Sequence, residues 1–177
     1  LEYAMQNCPK LRPNEMEHIG AVTAYTAEHL AAKIYLNRGD YNKVKTLTDE
    51  IINSGKFELY NDFYELFKIP GKLCNESLFE CQTTDFGTGS VDQWFVFQGP
   101  GNLGGWNFIK YRTAFMEWAH DRGENTRYTT TFLIPGSTTP SGDSIGLSGS
   151  STEAWNGKAY TPKNQLTPGR TKYGSNK

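Results

Sequence analysis

The clearest pattern of apolar and polar positions lies between Ala21 and Ser54. Apolar or small residues recur there every three or four positions, which predicts two helices that each bury one face. The predicted buried positions are Ala24, Ala27, Leu30, Ala31, Ile34 and Tyr35 in the first helix and Val44, Leu47, Ile51 and Ile52 in the second. Gly39 is suited to end the first helix, and Asp40 to cap the second. The pattern therefore predicts an antiparallel helix pair with a tight turn at residues 37–40.

Other elements are predicted on both sides of this pair. The long helix is expected to begin at Glu15 or Glu17, and shorter helices are expected at residues 1–7, 60–70 and 113–123. Alternating side chains predict a strand over 75–83. A run of β-branched and aromatic residues predicts a strand more clearly over 128–134. The Ser/Gly-rich stretch from Gly136 to Thr152 predicts a mobile surface loop.

The helix pair indicates the fold class. Tyr35, followed by Gly39-Asp40-Tyr41, is typical of a tetratricopeptide helix pair, which needs neighbours to bury both faces. We therefore predict a mainly α fold of the α-α superhelix type. Residues 20–70 would form a tetratricopeptide-like scaffold, and residues 71–177 a loop-rich portion with short strands and one helix. A length of 177 residues suits a single domain that contains both portions.

Charge and motif content exclude several classes of function. With 18 basic and 19 acidic residues the net charge is -1, which argues against nucleic acid as a partner. The three histidines and three cysteines lack metal-ligand spacing, so neither a metal nor a cofactor is expected. No phosphate loop, nucleophile elbow or dinucleotide fingerprint is present. Both ends of the chain resemble cut ends, so we expect a fragment of a longer protein.

Two pairs of carboxylates come into question for hydrolysis. A glycosidase would need two carboxyl groups about 5–10 Å apart. Glu80 and Asp92 flank an aromatic stretch, and Glu117 and Asp121 share one helix face at i, i+4. Nothing in the sequence brings the first pair together, and the second suits a solvated helix face. Catalysis therefore has no positive support.

Aromatic residues among glycines give better support for ligand binding. The chain holds 10 Tyr, 10 Phe, 4 Trp and 18 Gly. Trp and Tyr offer large contact areas to flat or sugar-like ligands, and amide side chains can orient hydroxyl groups. The alternative is that these aromatics fill a core, with Trp106 and Phe108 packed inward. We predict binding in the Gly-rich stretch from Thr83 to Asn107, with candidate ligand-binding residues Trp94, Phe97, Asn102, Trp106 and Trp155.

Three segments follow one another across roughly residues 21–82: AVTAYTAEHLAAKIYLNRGDYNKVKTLTDEII, then GKFELYNDFYELF, then NESLFECQ. Their order resembles the SusD/RagB family of Bacteroidetes outer-membrane lipoproteins. The later GGWNFI and FMEWAHDRGENTRYTTTFL match more loosely, because Asn125-Thr126-Arg127 stands where an Asp-Pro-Arg is common.

The resemblance implies a SusD-like domain that binds a polysaccharide, oligosaccharide or other nutrient at the cell surface. It also implies an outer-membrane location, a SusC-like TonB-dependent transporter as partner and a lipid anchor outside this chain. The predicted function is therefore non-catalytic nutrient binding in a glycan-uptake system. The alternatives are a tetratricopeptide-type protein-interaction scaffold and, less favoured, a glycosidase.

Overall fold

The computed structural model describes residues 1–82, 93–147 and 152–165, with residues 93–95 described by their backbone alone. The described part is mainly helical, as predicted. Its elements are α1 (Glu2–Asn7), α2 (Ala24–Asn37), α3 (Tyr41–Asn53), α4 (Gln93–Gln98), α5 (Thr113–Asp121), α6 (Asn125–Thr131), β1 (Phe132–Leu133) and β2 (Trp155–Asn156). Single 3-10 turns occur at Pro13–Glu15, Glu65–Phe67, Ile69–Gly71, Gly101–Leu103 and Lys163–Gln165. No helix among the described residues has the length and apolarity that crossing a membrane requires.

The chain forms two compact units. The first consists of Leu1–Asn61 and Leu73–Gln82, and the second of Asp62–Lys72 with the described residues after Gln82. The prediction that residues 1–177 belong to one SusD-like domain stays a prediction.

The helix pair of the first unit has the predicted turn. Gly39 has a φ of +75°, and the Asp40 carboxylate accepts a hydrogen bond from the Lys43 amide at 3.2 Å. The predicted start of the long helix at Glu15 or Glu17 is wrong, because α2 begins at Ala24. The Thr23 hydroxyl caps it by accepting from the Thr26 amide at 3.2 Å.

The buried face of α2 differs from the predicted one. Ala24, Ala27 and Ala31 are buried, whereas Leu30 and Ile34 are exposed. Ile52 of α3 is also exposed, although Ile51 is buried. Alanines allow a neighbouring helix to approach closely, and α2 packs on both α1 and α3. The larger apolar residues consequently lie outside these contacts.

Residues 75–82 do not form the strand predicted over 75–83, and Thr83 lies outside the described residues. Side chains hold this segment in place of a strand ladder. The Thr26 hydroxyl donates to the Leu78 carbonyl at 2.8 Å, and the Tyr60 amide donates to the Glu76 carboxylate at 2.8 Å. Asn75 bonds the Arg12 guanidinium and donates to Glu58. The Ser77 amide also donates to the Cys74 carbonyl at 3.0 Å, so the segment turns where its alternation predicted a strand.

The second unit is built around two short strands. β1 and β2 pair antiparallel, with Phe132 opposite Asn156 and Leu133 opposite Trp155. The prediction of a strand over 128–134 is wrong except at Phe132–Leu133, because α6 continues to Thr131 and β1 covers only these two residues. Glu124 caps α6 by accepting from the Arg127 amide at 3.2 Å. A local cap and tertiary packing here override the strand preference of threonines.

Residues 136–147 form an ordered loop, which we call the hairpin loop, and not the predicted mobile one. The Gly136 amide donates to the Ile145 carbonyl at 3.1 Å, and the Ile145 amide donates to Ser137 at 2.9 Å. Ile145 packs in a core cluster with Leu133, Trp155 and Tyr160. The burial of Ile145 and these backbone hydrogen bonds contribute to the order of residues 136–147. Residues 148–151 lie outside the described residues.

Candidate functional site

The candidate site lies in the second unit, where the end of α4 meets the extended residues 106–109. The Phe108 amide donates to the Phe97 carbonyl at 3.1 Å, and the Asn107 amide donates to the Gly99 carbonyl at 3.0 Å. The Trp106 amide donates to Val96. The last carbonyls of a helix have no partner within the helix, so the extended segment satisfies them. This pairing holds the segment directly against α4.

The Gly-rich turn between these elements makes their close approach possible. Gly104 has a φ of +89°, which glycine adopts at little cost. A Cβ atom on Gly105 would lie 2.1 Å from the Gly99 carbonyl oxygen, so any side chain there would collide with the backbone. The glycines of GPGNLGG therefore serve a close turn.

Three aromatic rings gather on this scaffold, and we call Phe97, Trp106 and Phe108 the aromatic platform. The Phe97 and Trp106 centroids lie 5.2 Å apart at 88°, and Phe108 lies 5.8 Å from Trp106 and 6.1 Å from Phe97. Trp106 is 47% exposed and Phe108 is 70% exposed. The alternative that Trp106 and Phe108 pack inward is therefore wrong. The platform offers a rigid apolar surface to solvent.

A small cleft of about 70 Å³ is lined in part by residues that are neighbours of the platform in sequence. Gln98 directly follows Phe97, and Ile109 directly follows Phe108. Its lining residues are Gln98, Ile109, Lys110, Tyr111 and Asn156. The Asn156 amide donates to the Gln98 side-chain oxygen at 2.8 Å. Burial raises the pKa of Tyr111, which keeps its hydroxyl protonated and able to donate. Amide, phenol and ammonium groups thus line the cleft, and such groups can form hydrogen bonds with a hydroxyl-rich ligand.

Trp155, a candidate ligand-binding residue, lies in the core and not at the surface. It is 1% exposed and packs with Leu133, Ile145 and Tyr160. Its indole N–H donates to the side-chain oxygen of Asn107, which has a φ of +65°. The ordered hairpin loop explains its burial, and Trp155 supports the site from within.

Asn102 has a different position from that expected of a ligand contact. The Asn102 amide donates to the Ser144 carbonyl at 3.1 Å, and its oxygen accepts from the Gly146 amide at 3.0 Å. This side chain therefore holds the hairpin loop. The backbone of Trp94 belongs to α4, but its side chain lies outside the described residues. Among the five predicted site residues, the structure brings Phe97 and Trp106 together in the platform.

Sequence reasoning missed two kinds of site residue. Phe108 carried a signal, because residues two apart in an extended segment face the same side. Gln98 and Asn156 carried none, since they meet across 58 residues of sequence. Only the antiparallel pairing of β1 and β2 and the packing of α4 on β2 bring them together.

The carboxylates considered for hydrolysis do not form a described catalytic pair. The Glu80 carboxylate accepts from the Leu73 amide at 2.9 Å within the first unit, and Asp92 lies outside the described residues. Glu117 and Asp121 are exposed on α5. In the described ranges, no three His, Cys, Asp or Glu side chains gather as metal ligands would.

Comparison with known proteins supports the architecture. No family model matches the chain, and no curated protein sequence matches it. Among solved structures, the chain is similar to surface glycan-binding protein A from Bacteroides uniformis, with a TM-score of 0.70 and 18% sequence identity. The match covers 98% of this chain and 38% of that protein, so the chain spans well under half of its length. At this identity the likeness shows the fold, and the predicted SusD-like architecture is confirmed.

Proposed function

We propose that the chain is the glycan-binding part of a cell-surface nutrient-binding protein that acts without catalysis. The observation that carries this proposal is the aromatic platform, with Trp106 and Phe108 exposed beside a polar cleft. The shared fold with a surface glycan-binding protein supports it.

The platform and the cleft match the two chemical properties of a sugar ring. A pyranose has an apolar C–H face that packs on an aromatic ring, and hydroxyl groups around its rim that need oriented hydrogen bonds. Trp106 is held against Phe97 at 5.2 Å, so little side-chain freedom remains to be lost on binding. The side chains of Gln98 and Asn156 lie at the cleft to bond hydroxyl groups.

The cellular setting belongs to the same proposal. We infer an outer-membrane, surface-exposed location, with a lipid anchor outside this chain and a SusC-like TonB-dependent transporter as partner. The ordered segments of residues 21–82 that resemble the SusD/RagB family support this, as does the surface location named for the structural neighbour.

Isothermal titration of the whole chain with a panel of neutral oligosaccharides tests the proposal. Trp106→Ala is expected to weaken binding of the best ligand about 30-fold, because aromatic anchors at binding sites contribute about 2 kcal/mol or more. Trp118→Ala is the matched control, since Trp118 on α5 is 54% exposed, slightly more than Trp106, but lies outside the platform.

Two results would contradict the proposal. Failure of every oligosaccharide to bind the chain would remove glycan binding. Equal affinity of the wild type and Trp106→Ala for a glycan that does bind would remove the platform as its site.

A further inference from the structure

Two cationic side chains of the second unit converge on one aromatic ring. The Lys158 ammonium lies 5.4 Å from the centroid of Phe63 and 4.7 Å from that of Phe67. The Arg127 guanidinium lies 5.8 Å from the same Phe63 centroid. Because both cations lie within 6 Å of the Phe63 centroid, they are less than 12 Å apart. We call Phe63, Phe67, Arg127 and Lys158 the basic patch.

The charges of the patch are only partly compensated. Arg127 contacts Glu124 at 3.7 Å, and its side chain is 71% exposed. No carboxylate in the described part of the chain lies within ion-pair distance of Lys158. The patch thus presents two positively charged hydrogen-bond donors to solvent. One of them, Lys158, has no carboxylate partner among the described residues.

A third cation lies beneath the turn that carries Lys158. The buried Lys68 ammonium donates to the carbonyl oxygens of Gly157 and Tyr160, each at 2.6 Å. These two hydrogen bonds hold the backbone on both sides of Lys158.

The basic patch is also close in sequence to the cleft of the candidate site. Asn156 lines the cleft, and its side-chain oxygen accepts from the backbone amide of Lys158 at 3.0 Å. This hydrogen bond holds the turn between the two features in one conformation. The spacing of two residues allows at most about 7 Å between their Cα atoms.

We propose that the basic patch binds the anionic group of an acidic glycan, through charge-assisted hydrogen bonds from Lys158 and Arg127. This inference rests on the proposed function, since it names the class of glycan. The group is a carboxylate of a uronic acid or a sulfate ester, both of which accept from ammonium and guanidinium donors. With a net charge of -1 on the chain, the attraction comes from this local arrangement and not from overall charge.

Titration with paired probes tests the proposal. One pair is tetragalacturonate and its methyl-esterified form, and the other is dextran sulfate and neutral dextran. We expect the anionic member of at least one pair to bind more tightly, with an advantage that shrinks at high salt. The pair that responds tells carboxylate from sulfate ester.

Variants then assign the effect to the patch. Lys158→Met is expected to weaken binding of the anionic probe about tenfold, the usual effect of losing one hydrogen bond from a charged group. Lys158→Arg should restore most of it. Lys33→Met removes the same charge from an exposed position of α2 and should leave the affinity unchanged. Thermal unfolding of each variant shows whether it is folded.

The outcomes separate this inference from the proposed function. If neutral probes bind but neither anionic probe has an advantage, the basic patch is not a ligand site, while glycan binding stands. An equal loss in Lys158→Met and Lys33→Met would also overturn the inference. If no probe of either kind binds, both proposals fail.

Discussion

The buried Lys68 offers a stringent test of how the second unit is held together. Its side chain is 1% exposed, and its ammonium donates to the Gly157 and Tyr160 carbonyls. It also lies 4.8 Å from the ring centroid of Tyr64. Lys68→Met replaces the ammonium with an apolar group of similar length, so packing volume is nearly kept while the donors are lost.

The expected loss of stability follows from these contacts. Hydrogen bonds to a charged group contribute about 1.5–3 kcal/mol each, and leaving a buried carbonyl without a partner costs about 1–3 kcal/mol. Removal of the ammonium also ends its own desolvation cost, which offsets part of the loss. We expect Lys68→Met to lower the free energy of unfolding of the second unit by about 3 kcal/mol.

Urea denaturation followed by tryptophan fluorescence measures this change. All four tryptophans lie after residue 92, so the signal comes from the second unit: Trp94, Trp106, Trp118 and Trp155. Lys72→Met is the matched control, because Lys72 lies in the same segment, half-buried, and should change stability by less than about 0.5 kcal/mol. A loss below about 1 kcal/mol for Lys68→Met would refute this reasoning, since water would then have to replace the lost donors.

Two further predictions concern the turn of the site and the first unit. Gly105→Ala should disrupt the aromatic platform and weaken glycan binding at least tenfold, because its Cβ would lie 2.1 Å from a backbone oxygen. Gly101→Ala, with open space around its Cβ, should leave titrations unchanged, and equal behaviour of the two variants would contradict the account. In the first unit, burial raises the pKa of Glu28, with Glu50 adding to the shift and Lys10 opposing it. A carboxyl whose pKa is raised on folding favours the folded state at low pH, and stability falls as pH rises through the folded pKa. Glu28→Gln should therefore raise the melting temperature measured by circular dichroism at pH 7.5 but not at pH 4. The control Glu17→Gln, at an exposed position, should not raise it at either pH. A gain for Glu28→Gln that is the same at both pH values would contradict this reasoning.

The helix pair shows what local sequence signals can predict. Gly39 adopts the positive φ of the turn, and Asp40, the next residue, caps α3. Both roles depend only on residues close in sequence. The start of α2 was misplaced because acidic residues at 15 and 17 suit a first helical turn, whereas Thr23 is the residue that caps it. The exposed Leu30 and Ile34 show that periodicity finds a helix more reliably than it finds its buried side.

The candidate site was only half predictable, for a different reason. Phe97 and Trp106 are close in sequence, and glycines between them signal a tight turn. The burial of Trp155 could not be predicted, because it depends on Ile145 of the hairpin loop and on Tyr160, which follows β2. Residues 128–131 of the predicted strand belong to α6, because the Glu124 cap and the core packing of Phe132 outweigh weak strand preferences.

The sequence by itself determined the helical class of the chain, the α2–α3 turn and the aromatic content of the site. These depend on periodicity, caps and glycine conformations, which act within a few residues. The tertiary structure alone decided which aromatics face solvent, and it brought Gln98 to Asn156 and Lys158 to Phe63. Contacts between residues so distant in sequence arise from the packing of the whole unit, and local preferences of at most about 1 kcal/mol do not specify them.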